Sequence, residues 1–311
     1  MVAACKSTAR KERRERRREG RSDEQRRLAL LRRSGLFGGD TKGALIARAV
    51  TFRKLGMAYG LVHDVFVEEG YIHSQPSGMR VRPFETDRQT ATFIAEHGDQ
   101  VVGVQSLVVD SEDLGLPSDL AFSDEINTLR EGGKIVCEAT NEAVDAAFRR
   151  SAVPTEMMRA LYAYAVQIGC NELITTVSPG HKAFYEYMGF EQIGDVRSYS
   201  EEIADPVVLM AWHLDQVEAL YGAVDPSEDT LAAFMKRFYI TENPYLAPMR
   251  SWSQLAEATF ADAEEVGLFF RAVPELFDTA SSDSLRAMQS RLGSVAFALA
   301  MAGTEAPALS A

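Results

Sequence analysis

The chain has 311 residues, 46% hydrophobic and 25% charged, which is ordinary for a globular protein and long enough for one large core or two smaller ones. No apolar run reaches the roughly 18 residues of a membrane span, and the N-terminus lacks the apolar core of a signal peptide, so a cytoplasmic protein is expected. Cys5, Cys137 and Cys170 show no C-x-x-C spacing and the five histidines form no ligand cluster; reduced thiols are expected, and no metal.

The net charge of −12 is unevenly spread. Residues 1–33 carry 13 Lys and Arg against 5 Asp and Glu, giving +8, while the remainder carries 20 against 40, giving −20. In "RKERRERRREGRSDEQRRLALLRR" basic residues point in every direction and offer little apolar surface, so residues 1–40 read as a basic, disordered tail ending in the Gly-rich hinge "SGLFGGDTKG". Such a tail either attracts nucleic acid, an anionic membrane or an acidic protein through screened charge, or merely solubilises the chain, or reflects a start placed too early. Nucleic acid is not expected to be the partner.

From residue 41 to 214 strand and helix signals alternate. "ARAVTFRKL" opens as a strand, and "LGMAYGLVHDVFVEEG" repeats apolar residues at helical spacing until Gly70. "ATFIAEHGDQVVGVQSLVVD" reads as a hairpin, "GKIVCEAT" as a strand, "PTEMMRALYAYAVQIG" as a helix and "NELITTVS" as a strand. "HKAFYEYMGF" follows as a short helix, then "FEQIGDVRSYS" and "VVLMAWHLD" as closing strands. The pattern predicts a mixed, mostly antiparallel α/β sheet flanked by helices. Strand signals disappear after Asp215, so residues 215–311 read as a helical appendage built from "EDTLAAFMKRFYI", "SWSQLAEATFADAEEVGLFFRAV" and "DSLRAMQSRLGSVAFALAMAG".

Two residues on these elements invite chemistry. Alternation in "KIVCEAT" places Ile135, Cys137 and Ala139 on one face and Val136, Glu138 and Thr140 on the other. Glu138 on a central strand is either a structural charge with a local Arg partner or a general base for an ammonium substrate. Tyr185 in "FYEYMGF" is either core packing or a phenol that protonates a departing thiolate. Arg80, Arg82 and Arg88 lie in a loop, where one of them either clamps a substrate carboxylate or is ordinary surface. His181 opens a helix and reads as a surface residue rather than a base.

A strand ending in V-S-P, the helix "HKAFYEYMGF" and closing strands, preceded in order by "CEAT" and "PTEMMRALYAYAVQIG", resemble the C-terminal half of the GNAT acyltransferase fold. Upstream, "HDVFVEEGYI" is similar to the R-Y-x-V-F-V-E-E-G-Y segment of the long-chain N-acyl amino acid synthase branch, related to acyl-homoserine lactone synthases. The resemblance spans roughly residues 45–214. It implies an N-acyltransferase joining a fatty acyl thioester to the amine of an amino acid or similar molecule, with Glu138 on the family's strand glutamate and Tyr185 on its thiolate-assisting tyrosine.

Two departures stand out. The branch shows E-x-x-R on this strand, whereas "EATN" places Asn141 where the arginine would stand, which leaves Asn141 and Arg82 as substrate-binding candidates. Coenzyme-A enzymes of this fold carry R/Q-x-x-G-x-G/A before the long helix, so that free amides hold the pyrophosphate. Here the run from Arg150 is R-S-A-V-P-T, in which Val153 and Thr155 replace small residues and Pro154 has no N–H. A phosphopantetheine on acyl carrier protein has no nucleotide and needs less of that cradle. Acyl carrier protein is therefore the expected donor partner, with Arg149, Arg150 and Ser151 near its phosphate and no bound cofactor. The rivals are an acetyl-coenzyme-A N-acetyltransferase, a homoserine lactone synthase and a non-catalytic scaffold that works through its basic tail.

Overall fold

The computed structural model describes residues 24–199 and 205–302, the side chain of Glu218 apart. A helix, α1, covers residues 24–34, and the short strand β1 (Leu45–Arg48) follows it. Helix α2 (Phe52–Glu68) starts where the Thr51 hydroxyl accepts from the Lys54 N–H, and it buries Phe52, Leu55, Tyr59 and Val62, one stripe at helical spacing. A loop carrying Arg80 and Arg82 leads through a single 3₁₀ turn (Pro83–Thr86) into the hairpin β2 (Ala91–His97) and β3 (Gln100–Val109).

Helix α3 (Asp119–Glu131) then precedes β4 (Val136–Val144), α4 (Val153–Gln167), β5 (Glu172–Val177) and α5 (Lys182–Met188). Gly189 ends α5 at φ 104°, a left-handed cap that a side chain would strain. The closing region forms less strand than its sequence suggests: β6 (Glu191–Gln192) and β7 (Arg197–Ser198) are two residues each, before the full strand β8 (Pro206–His213). Between them Gly194 presses on Phe122 of α3, where an added Cβ would lie 2.8 Å from the ring.

The sheet order is β1-β2-β3-β4-β5-β8-β6, with β7 on β8; β4 and β5 are parallel and every other pair is antiparallel. Alternation along the strands divides the core. Phe93, Leu107, Cys137, Leu173 and Met210 pack under α4 and α5, while Ile94 faces α2, and Val108, Val136, Ile174 and Leu209 face α3. This is the expected mixed, mostly antiparallel sheet between helical layers.

The C-terminal part is helical: α6 (Leu214–Tyr221), α7 (Leu231–Lys236) with a π turn through Thr241, α8 (Met249–Thr259), α9 (Ala263–Arg271), α10 (Glu275–Asp278) and α11 (Ser282–Met301). It divides between the two faces. Met235, Phe238 and Tyr239 join the α4 core, whereas Phe270, Phe277 and Leu285 join the α2 core. Among the described residues no helix is long and apolar enough to cross a membrane.

Of the basic segment read as disordered, residues 1–23 lie outside the described residues, and residues 24–34 are helical. The difference has a packing cause. Leu28 and Leu31 are buried, and Phe37 inserts among Phe184, Phe234 and Phe238 with centroids 5.3–6.2 Å away, on a surface that exists only once α5 and α7 are assembled.

Candidate active site

The site begins where two strands part. β4 pairs with β5 through three residues only, Val136–Glu138 against Glu172–Ile174, although β4 continues to Val144 and β5 to Val177. On its other edge β4 remains on β3, with Thr140 opposite Ser106 and Ala143 opposite Val104, so Asn141 and Glu142 together face Gln105 as a bulge. Asn141 takes φ 54° there, a conformation Asn tolerates better than most residues. The bulge also resets the alternation: Glu138, Thr140 and Asn141 reach partners on the α2–α3 side, whereas Glu142 turns to α5.

On the first side Glu138 is 1% exposed, its carboxylate accepting from the Ser118 hydroxyl at 2.7 Å and the Ser118 N–H at 2.9 Å, just before α3. Burial pushes its pKa up to about 7, against the pull of the Ser118 bonds and the Arg82 charge. Arg82 pairs with Glu85 at 2.8 Å and reaches the Thr140 hydroxyl at 3.4 Å. Arg80 donates to Asn141 Oδ1 at 2.5 Å and lies 5.0 Å from the Phe66 ring. Asn141 in turn donates to Glu85 at 3.0 Å. Burial and the neighbouring Arg82 lower Arg80 to about 9, which leaves it charged at neutral pH. The arrangement is a carboxyl group poised near neutrality beside two cations, Arg82 salt-bridged to Glu85 and Arg80 linked to the same carboxylate through Asn141, and Arg82 Nε has no acceptor among the described residues.

On the second side the Tyr185 hydroxyl donates to Glu142 at 2.6 Å. Desolvation, and then the Glu142 charge, hold the phenol well above its usual range. Glu142 is solvent-exposed at the parting of the strands; the protein around it raises its pKa, while the Tyr185 bond and the His181 charge act the other way. Glu138 and Tyr185 thus flank the gap between β4 and β5 from opposite faces and do not bond each other. A surface cavity of about 380 Å³, lined by Ala163, Val166, Leu246 and Arg250 among others, shares no residue with either group.

Of the three residues expected near a donor phosphate, Arg149 and Ser151 have local partners. Arg149 bonds the Val144 carbonyl at 3.0 Å and pairs with Glu69 at 3.1 Å and Glu68 at 3.7 Å; Arg150 is exposed; Ser151 Oγ donates to the Phe148 carbonyl and accepts from the Val153 N–H. At the same helix start the Ala152 N–H donates to the Asp40 carbonyl at 3.1 Å, and the Thr155 hydroxyl bonds the Leu36 carbonyl. Residues 36–40 therefore lie over the N-terminus of α4. Glu156, one turn in, is held by Arg159 at 2.8 Å and by the Tyr245 hydroxyl at 3.0 Å. Among the described residues no group of three or more His, Cys, Asp or Glu is placed to hold a metal ion.

This chain matches the family model described as N-acyl amino acid synthase FeeM over residues 57–213, half of its length. It belongs to the FeeM N-acyl amino acid synthase family. The solved FeeM, an N-acyl amino acid synthase from uncultured soil microbes, is similar in fold at TM-score 0.50 and 22% identity, over 56% of this chain and 92% of that one. The AHL synthase LasI (21% identity, TM-score 0.40, 58% of this chain and 95% of that chain) and a GNAT acetyltransferase from Streptococcus pneumoniae (14%, 0.41, 55% and 99%) also resemble it. No curated protein sequence matches it.

The FeeM-family match runs from α2 to the end of β8 and so contains both sides of the site, while α1 and the C-terminal helices lie outside it. Of the residues singled out in sequence, the fold brings Glu138, Asn141 and Arg82 into one polar cluster and places Tyr185 across the gap. Sequence reasoning left Arg80 among the loop arginines and missed Glu85, Ser118 and Glu142. Ser118 and Glu85 carry no motif. Glu142 is obscured because strict alternation, blind to the bulge, assigns it to the face of Glu138.

Proposed function

We propose that this acyltransferase moves a fatty acyl group from an acyl carrier protein thioester to the amine of an amino acid or similar small molecule. The observation that carries the reading is the placement of Glu138 and Tyr185 on opposite sides of the β4–β5 parting, so that amine and thioester meet between them. Glu138, with a pKa near neutrality, takes the proton from the attacking ammonium. The free amine forms the C–N bond at the thioester carbonyl, and N–H groups of β4 beyond its pairing with β5 stabilise the oxyanion. The C–S bond then breaks, the nitrogen releases its second proton to water to leave the amide, and Tyr185 gives its proton to the thiolate, regaining one from solvent through Glu142 at the solvent edge. Arg80 supplies from the loop the guanidinium that E-x-x-R would supply from the strand, since Asn141 receives it there, and with Arg82 it orients the acceptor carboxylate.

The carrier-bound donor is favoured by the N-terminus of α4. A coenzyme-A pyrophosphate would compete there with Asp40 and Leu36 of the chain itself and would meet Pro154, which has no N–H. The test is mass spectrometry of reactions containing the purified protein, acyl carrier protein thioesters or acyl-coenzyme-A species, and pooled amino acids. An acyl-amide formed only from carrier-bound donors supports the reading; turnover of acetyl-coenzyme A instead favours an N-acetyltransferase, and no product from any donor defeats both.

A further inference from the structure

The C-terminal helices, which the family match does not include, grip the loop that carries the two arginines. Arg291 of α11 pairs through Nε with Asp87 at 2.8 Å, just past the 3₁₀ turn holding Glu85, and bidentately with Asp113 at 2.6 and 2.7 Å. Its Nη2 also bonds the Ser111 hydroxyl at 3.1 Å. Only 13% of its side chain is exposed, and the bidentate bond holds the Asp113 carboxyl down to about 2. Glu275 of α10 accepts from the Ser77 N–H at 3.2 Å and from the Ser77 hydroxyl, while the Arg88 guanidinium bonds the Phe260 carbonyl at 3.2 Å. The loop is therefore fastened at Ser77, Asp87 and Arg88, on both sides of Arg80, Arg82 and Glu85. Asp113 lies five residues before Ser118, which holds Glu138. Two residues after Arg291 the helix kinks at Gly293; Arg291, before the kink, meets the loop, and Ala296 and Leu299, beyond it, close on Gly267 of α9.

We propose that Arg291 is a positioning residue for the acceptor side of the site: it fixes the 77–90 loop and the 111–118 connection relative to each other, and so sets Arg80 and Arg82 against Glu138. The inference rests on the acceptor assignment proposed above. A guanidinium bridging two backbone segments transmits a small displacement directly to the arginines, and misplacement by a fraction of an ångström weakens binding that depends on orientation. Among the described residues the bonds of Arg291 go to Asp87, Asp113, Ser111 and its own helix and none goes to Tyr185, Glu142 or residues 149–151, so the effect separates between the two substrates.

The experiment compares the full-length protein with Arg291→Met and Arg291→Lys, using an equimolar pool of the twenty amino acids as acceptor and a carrier-bound acyl thioester as donor. The apparent KM for the pool rises roughly tenfold in Arg291→Met. It recovers in part in Arg291→Lys, which keeps one ion pair, and the donor KM is unchanged. A parallel rise in both KM values, or none in the acceptor KM, overturns the proposal. If Arg291→Met does not fold, Asp113→Asn at the exposed end of the bridge carries the same comparison. Amide hydrogen exchange is measured alongside: residues 77–90 lose protection in the variants, and unchanged protection there also overturns the proposal. Failure of the wild type to turn over any donor defeats the substrate reading alone, since the exchange experiment still decides the positioning.

Discussion

Replacing Glu138 by Gln should slow the enzyme and stabilise it, in a pH window set by the carboxyl group. Gln has the same shape; its carbonyl can accept from the Ser118 N–H while its amide donates to the Ser118 hydroxyl, which rotates, so both bonds survive. What changes is the ionised carboxylate. Its pKa rises on folding from an ordinary 4.5 to about 7, so the folded state binds the proton more tightly than the unfolded state. Burying this group costs nothing below pH 4.5, and the cost grows as the pH climbs, reaching its full value above pH 7. From the size of that rise the penalty is about 3 kcal/mol. Glu138→Gln should therefore match the wild type in acid and exceed it by up to this amount above neutrality, as urea unfolding across the range would show. Acyl transfer should fall by about 10²–10⁴ in kcat and lose the rising limb of its pH profile near 7. A variant that is stabilised yet keeps most of its activity and an unchanged profile would refute Glu138 as the base. A destabilised variant would refute the burial argument.

Tyr185→Phe removes the proton donor and leaves Glu142 without its 2.6 Å bond, so kcat should drop by about 10²-fold with little change in Tm; full activity would exclude the phenol from the chemistry. Phe37→Ala empties the position among Phe184, Phe234 and Phe238 and should cost about 2–3 kcal/mol, with faster proteolysis of residues 24–43. Unchanged protease resistance would show that the segment does not depend on this anchor. Burial alone would lower the His213 pKa, but its bonds to Glu172 at 2.9 Å and Glu191 at 2.6 Å outweigh that and raise it. Its ion pairing therefore stabilises fully below the unfolded value of 6.5 and is lost as the pH rises through the folded value. His213→Gln should flatten that part of the stability curve, and an unaltered curve would assign the dependence elsewhere.

Most of the central sheet is legible because its strands are bounded by glycines and their apolar residues alternate. The hairpin of β2 and β3, the strand bearing Glu138, and α4 lie where the pattern puts them. Helix α3 is not legible: "DLAFSDEINTLRE" buries only Phe122 and Ile126, and Phe122 departs from helical geometry at φ −131°, so no stripe develops. The closing strands shrink because Gly194 yields to the Phe122 ring, a contact between segments far apart in sequence. "SWSQLAEATFADAEEVGLFFRAV", read as one helix, divides where the Asp262 side chain caps α9 by accepting from the Glu264 and Glu265 N–H groups.

The sequence by itself determined the elements whose signal is local: the mixed sheet, the strand that carries Glu138, the short helix of Tyr185 capped at Gly189, and the missing N–H at Pro154. Tertiary structure alone decided which polar groups share a partner. The bulge at Asn141 turned Glu142 toward Tyr185, the chain leading into α3 brought Ser118 to Glu138, and the C-terminal helices brought Arg291 to Asp87 and Asp113. The physical reason is range. Alternation and capping act over a few residues and leave a repeat that can be read, whereas a buried hydrogen bond between distant segments leaves no periodicity and exists only once the layers have packed.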